Sequence, residues 1–392
     1  MGVRPAPTVG TPLAEATASL NSWLEVDLEA VAGNVAALRA RLGPGVELIA
    51  VVKANAYGVG VEGFVPALEA AGVERFAVVW PAEALGLRQL GVKAPILVLG
   101  HAFRADAEEA VLRDITLTCH SRELGDALSE AAVALGRVAR VHIKVDTGLH
   151  RFGVTIEEAV DLARYLRELP GIDVEGLTTH MANADEADDS FSDVQQAAFL
   201  EATKQLPWIR YRHTANSATA LRRPGLRYDG VRIGLALHGV LPPNTSAPAT
   251  QPAISLKARL ARVADVEPGE GVSYGLAWRA ERPSRVGLVP VGYADGWRRS
   301  LGNCGAVLVR GQRCPMVGRV CMDQFLCDVT DVPGAAEDDE VVLFGTQGEA
   351  HIGVDEIAEL AGTISWDVMA SLQARLPRVF HRHGIVERVV TA

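Results

Sequence analysis

Lys53 closes the apolar run Ala50-Val51-Val52 and is followed at once by Ala-Asn-Ala-Tyr57-Gly, so an amine stands where a buried strand should meet a loop. An amine delivered there can form a Schiff base with a carbonyl. Other polar groups stand at the ends of later apolar runs, Lys144 with Asp146, then His180, then Asn216-Ser217, and Arg232 lies within a last run just before Gly234. Pyridoxal phosphate chemistry would need such a set: a lysine for the carbonyl carbon, hydroxyl and backbone N–H groups for the phosphate, and a charged partner for the ring nitrogen. Asn216 and Ser217 can open a helix toward an anion, and Gly234 lets the main chain approach it closely.

The elements that must position these residues follow from periodicity. The β-branched runs Val46 to Val52, Arg75 to Trp80, Pro95 to Leu99, Asp114 to Thr118, Val138 to Val145, Ile172 to Thr178, Ile209 to His213 and Val231 to Leu237 alternate with amphipathic stretches. Arg104 to Arg113, Ser121 to Leu135, Ile156 to Leu169 and Ser190 to Leu206 read as helices, with Ser121 and Thr155 as caps. Eight such units predict a TIM (β/α)8 barrel, whose chemistry lies at the carboxyl ends of the strands. Lys53, Lys144, Asp146, His180, Asn216 and Ser217 fall at or just past such ends, and Arg232 lies on the eighth run before Gly234.

A stretch rich in Pro and small polar residues, Leu241 to Pro252, marks a linker. Short alternating strands from Ile254 to about Phe344 follow, and residues 351–372 read as one closing helical segment or two short ones. The expected class is therefore α/β, a barrel followed by a mostly β C-terminal domain. Residues 1–20 read as a flexible tail, 21–245 as the barrel and 246–392 as the β domain, with a first strand at about 22–27 that could pack on the latter.

At 392 residues, 48% hydrophobic and 22% charged, the chain can bury two cores. A formal charge of -10 argues against a nucleic-acid partner, which needs a basic footprint. No apolar run is long enough to span a bilayer, so no membrane role is expected. Five cysteines, an odd number, suit free thiols in a reducing cytoplasm. Four of them, Cys304, Cys314, Cys321 and Cys327, lie close in sequence, yet they form no C-x2-C pair and no metal site is expected.

With these residues in place, the chain resembles the alanine racemases, fold-type III pyridoxal phosphate enzymes, from about Trp23 to Phe380. The resemblance rests on Val-Val-Lys53-Ala-Asn-Ala-Tyr57-Gly, Lys144-Val-Asp-Thr-Gly-Leu-His-Arg151-Phe-Gly, Thr179-His180-Met-Ala, Ala-Asn216-Ser217-Ala, Val-Arg232-Ile-Gly234, Val-Ser-Tyr274-Gly, Gly-Tyr293-Ala-Asp-Gly and Cys321-Met322-Asp323-Gln324. It implies interconversion of L- and D-alanine, in a D-alanine-supplying role for peptidoglycan. Inversion requires a proton taken from one face of a carbon and returned to the other, so two bases are needed. The resemblance makes these Lys53 and Tyr274. It places the cofactor, pyridoxal 5'-phosphate, on Lys53, Tyr57, His180, Asn216, Ser217, Arg232, Gly234, Leu235 and Trp366. It places substrate on Arg151, Tyr293, Met322 and Asp323, beside Lys144, the family's position for a carbamylated lysine. It further implies a homodimer in which Tyr274, Met322 and Asp323 reach the barrel mouth of the second subunit.

Three positions depart from the family pattern. Residues 363–367 read Thr-Ile-Ser-Trp366-Asp where Thr-Ile-Asn-Tyr-Glu is usual, so an indole, which donates but cannot accept, replaces a hydroxyl. Val59 replaces a common histidine, and His238 replaces a frequent tyrosine and is expected at the rim. The Trp366 change keeps a serine or broad-specificity racemase in view as the alternative activity, with a decarboxylase of the same fold behind it.

Overall fold

The chain is described by a computed structural model over residues 9–246 and 249–391. Eight strands form one parallel sheet: β2 (Glu47–Val51), β3 (Arg75–Val78), β4 (Ile96–Val98), β5 (Ile115–Cys119), β6 (Ala139–Lys144), β7 (Ile172–Thr178), β8 (Tyr211–His213) and β9 (Gly230–Ile233). The sheet runs β8-β7-β6-β5-β4-β3-β2-β9, and each of its strand pairs is parallel. Its two ends meet through backbone bonds from Asp229 N to Arg212 O (3.0 Å) and from Arg232 N to Ala215 O (2.9 Å), so the barrel is nearly closed. Continuous β-branched runs suit this place, because strands covered on both faces bury every side chain. In β3, β4, β5 and β9 every residue is buried.

The intervening helices start where the side chains can cap them. Ser121 accepts from Leu124 N at 3.2 Å, and Thr155 and Glu158 satisfy one another's backbone N–H groups in a capping box.

The strand preceding the barrel, β1 (Ser22–Asp27), belongs to the other domain. It pairs antiparallel with β10 (Ile254–Arg259) and parallel with β20 (Arg378–Arg382), inside an 11-stranded sheet. That sheet also holds β11 (Arg262–Val266), β14 (Ser284–Val289), β15 (Ala306–Val309), β16 (Gln312–Val317), β17 (Phe325–Asp328), β18 (Glu340–Gln347), β19 (Ala350–Ile352) and β21 (Ile385–Val390). A separate ribbon of β12 (Gly271–Val272) and β13 (Trp278–Arg279) projects Tyr274 on its connecting turn. Two short helices, Val354–Ala361 and Ser365–Ala370, lie where the closing helical segment is expected.

The expected tail needs correction in part. Residues 1–8 lie outside the described residues, but Leu13–Thr17 forms a helical turn whose Ala16 packs with Trp23, Val379 and Val386. Apolar contact with β1, β20 and β21 anchors a segment whose composition alone looked unstructured. No helix among the described residues is long and apolar enough to cross a membrane.

Candidate active site

Lys53 leaves β2 into a left-handed helical turn. Ala54, Asn55 and Ala56 have φ of 52–55° and ψ of 47–50°, and Tyr57 has φ of 58°. Each such non-glycine residue costs roughly 1–2 kcal/mol. The Glu83 carboxylate offsets this by accepting from Ala54 N at 2.6 Å with one oxygen and from Val79 N and Trp80 N at 2.9 and 3.0 Å with the other. The turn carries the Tyr57 phenol against the exit of β9. A Cβ on Gly234 would lie 2.1 Å from the Tyr57 hydroxyl, so only glycine leaves that space.

Around it the loops after β8 and β9 form a cradle. Asn216 caps the helix Ser217–Arg222 by accepting from Thr219 N at 2.9 Å, and the Ser217 hydroxyl accepts from Gly234 N at 3.2 Å. Lys53, Tyr57, Arg151, His180, Asn216 and Ser217 line a cavity of about 320 Å³ together with Arg232, Gly234, Leu235 and Trp366. Lys144 lines an adjoining lobe of about 430 Å³ that shares Lys53, Arg151, His180 and Arg232 with the first. The expected barrel residues therefore converge on one mouth.

Burial and positive neighbours set the charge there. Burial and Arg151 lower the Lys53 pKa, with Glu83 opposing. Lys144 is brought down to about 8 by burial, Arg232 and Arg151. His180 falls well below its ordinary value through burial, with Arg232 adding to it. Arg232 is itself brought down to about 10 by burial, and its Nη atoms meet carbonyls, the Thr178 hydroxyl and the Nδ1 atoms of His180 and His213. Among the residues lining the first cavity only Asp185 carries a carboxylate. Such a mouth suits an anionic ligand and keeps amines partly free to react. The Ser217–Gly234 cradle and the Lys53 amine that line the same cavity fit pyridoxal 5'-phosphate.

Tyr274, Tyr293, Met322 and Asp323 line neither of these cavities. They gather elsewhere, around Cys321. Ser273 donates to Arg319 O at 2.8 Å and lies 3.7 Å from the Cys321 sulfur, while Tyr293 N and Ala294 N donate to Cys321 O and Met322 O. Arg375 grips Asp323 at 2.7 Å and also the buried Asp295. Tyr274 is 70% and Met322 53% exposed, a costly display of apolar surface for a lone chain. Within one chain, then, the expected site exists as two separate halves.

His238 is not at the rim. It is fully buried, stacked on Phe64 at 4.3 Å, and neither ring nitrogen has a hydrogen-bond partner. Glu83, Arg375, His142 and His213 were not among the residues expected to matter. Glu83 carried only half of a legible signal: it stands three residues after Trp80, where a capping-box carboxylate would, but an indole at the N-cap cannot accept in return. His142 lies two residues before Lys144 on β6 and so shares its face.

The comparisons with known proteins bear on both halves at once. The profile described as "Alanine racemase, N-terminal domain" matches residues 26–242, and "Alanine racemase, C-terminal domain" matches residues 253–380. The chain belongs to the alanine racemase family. The alanine racemase of Desulfosudis oleivorans is 41% identical over 92% of this chain and 96% of its own, and that of Methanococcus maripaludis is 38% identical over 91% and 98%. The alanine racemase of Bacillus anthracis with bound L-Ala-P superposes with a TM-score of 0.88 at 36% identity, covering 95% of this chain and 97% of that one. A histidine racemase from Leuconostoc mesenteroides superposes at 0.85 and 29% identity, covering 92% and 98%. The family thus spans barrel and β domain alike, and a racemase named for a larger side chain is similar to this chain over most of its length.

Proposed function

We propose that this family member interconverts L- and D-alanine as a cytosolic homodimer, using pyridoxal 5'-phosphate seated in the barrel mouth. The observation that carries this reading is the half-buried Lys53 amine, with its lowered pKa, opening into a cavity that also holds the Gly234–Ser217 cradle and Arg232. When bound, the cofactor supplies an electron-withdrawing ring that acidifies the substrate's α-hydrogen.

The chain's own residues do the rest. Arg151 takes the substrate carboxylate, a role suited to a planar fork of donors. Lys53 holds the proton on one face of the α-carbon. Tyr274 of the partner subunit holds it on the other, where the positive field of Arg151 and Arg232 favours a phenolate. Lys144, with its amine near neutrality, is disposed to carbamylation, which would place a negative group beside Arg151. Tyr293, Met322 and Asp323 of the partner subunit wall the substrate in, and Arg375 keeps Asp323 in place.

The test combines an absorbance spectrum of the purified protein, before and after borohydride, with chiral analysis of L-alanine incubated in deuterated water. An imine band lost on reduction, D-alanine as product and deuterium at the α-carbon are expected. An imine band with released carbon dioxide and no D-alanine would replace racemisation by decarboxylation.

A further inference from the structure

Arg232 is the mouth end of a buried chain of polar groups that runs down the barrel interior. Its Nη1 lies 2.9 Å from His213 Nδ1 on β8. His213 Nε2 lies 2.8 Å from His142 Nδ1 on β6, and His142 Nε2 lies 2.9 Å from Glu175 Oε2 on β7. Glu175 is held by both Nη atoms of Arg75, at 3.0 and 2.8 Å, and Arg75 Nε donates to Glu47 Oε1 at 3.1 Å. Arg75 and Glu47 open β3 and β2, so the chain ends at the face opposite the mouth. Both imidazoles are fully buried.

The barrel is shaped for it. The register of β6 on β7 shifts between Val141 and His142, and a Cβ on Gly176 would lie 2.8 Å from the His142 ring. A bulge and a missing side chain thus make room for one imidazole.

Burial favours neutral imidazoles at both positions, and for two neutral rings hydrogen-bond valence leaves one arrangement. A guanidinium has only donors, so His213 Nδ1 must carry a lone pair and its proton sits on Nε2. That proton goes to His142 Nδ1, which places the His142 proton on Nε2, facing Glu175. The carboxylate can only accept, and it stays ionised because the His142 and Arg75 contacts outweigh the cost of its burial. Thr178 donates to His213 O at 2.6 Å and so accepts from Arg232 at 3.1 Å. Protonating either histidine, or flipping either tautomer, would set N–H against N–H.

We propose that His142 and Glu175, acting through His213, are positioning residues that hold Arg232 as a fixed one-way donor at the mouth. Its consequence for turnover rests on the reading above, in which Arg232 faces the cofactor; the hydrogen-bond order does not. Glu175 sets the tautomer of His142, His142 sets that of His213, and His213 offers Arg232 a bare nitrogen. The guanidinium then keeps its place without a carboxylate beside it that would cancel its charge.

Nitrogen-15 NMR of histidine-labelled protein reads the tautomers directly, with ten histidines to assign. His213 and His142 are each expected as neutral Nε2–H imidazoles at pH 7, with or without cofactor. In His142→Phe the His213 signals should move toward a mixture of tautomers, while kcat falls about tenfold with KM for L-alanine within about twofold. Glu175→Gln, whose amide oxygen still accepts from His142, should keep the His213 tautomer. A cationic or Nδ1–H His213 in the unaltered protein overturns the proposal, as does a His142→Phe protein with an unchanged His213 signal. If His142→Phe does not fold, the tautomers of the unaltered protein decide it, and a Glu175→Gln protein whose His213 signals move to the other tautomer overturns it as well. The NMR arm needs no turnover, so its failure is separable from failure of the racemase reading.

Discussion

At the scale of single residues, His238 shows what burial does to a group whose neighbours offer it no hydrogen bond. Burial brings its pKa down to about 3 from an ordinary 6.5. Below pH 6.5 the unfolded chain takes up a proton that the folded chain refuses, so stability is lost as pH falls from 6.5 toward 3, at about 1.4 kcal/mol per pH unit. Replacing His238 by Phe removes that loss and relieves an unsatisfied polar ring, for a gain of about 1–3 kcal/mol at pH 7. Urea unfolding at pH 7 and pH 5 should show the variant ahead at both and further ahead at pH 5; an equal margin at the two pH values would contradict this. Trp366 is the second informative residue, because it lines the first cavity where a tyrosine hydroxyl is usual in the family. Trp366→Tyr restores a hydroxyl, and equilibrium dialysis should then find pyridoxal phosphate held several-fold more tightly; unchanged retention, with unchanged kcat/KM for alanine against serine, would contradict it. Lys53 and Arg232 were legible in the sequence because of their place on or at the end of a predicted strand, whereas Arg151 came only from the family resemblance. The burial of His238 was not, since it depends on Phe64 and Tyr57 arriving from other elements.

At the scale of elements, the left-handed turn after β2 ties strain to position. Four non-glycine residues in that conformation represent roughly 4–8 kcal/mol of local cost, and Glu83 is the group that bridges the turn to the loop after β3. Glu83→Ala leaves three backbone N–H groups without their carboxylate and should lower stability by about 2–4 kcal/mol, measured by urea unfolding. A loss well under 1 kcal/mol would show that the turn is held by other contacts. Arg378 adds to it from the β domain, donating to Gly58 O at 2.9 Å and to carbonyls of residues 372–376. The strands themselves were legible to within a few residues: the run Val46 to Val52 contains β2, and Ile172 to Thr178 coincides with β7. The turn was not, because Ala, Asn and Tyr carry no local preference for it. Tertiary bonds impose it.

At the scale of the whole molecule, the two halves of the site pose one question. Lys53 lies inside a cavity and Tyr274 stands exposed on a ribbon of the other domain, so a single chain does not bring the two proposed bases together. A twofold dimer that joins each mouth to its partner's ribbon would resolve this, and it would bury the apolar surface of Tyr274, Leu276 and Met322. The barrel and the β domain could be read from periodicity and from the linker at Leu241 to Pro252. The sharing between subunits could not, because no local pattern records which chain a side chain will meet. The most direct measurement mixes two inactive variants, Lys53→Ala and Tyr274→Phe, after co-refolding in equal amounts. Half of the dimers would then be mixed, each with one site carrying both bases, so activity should recover to about one quarter of that of the unaltered enzyme. A mixture that stays inactive while mixed dimers are demonstrably present would contradict the shared site and, with it, the proposed two-base inversion.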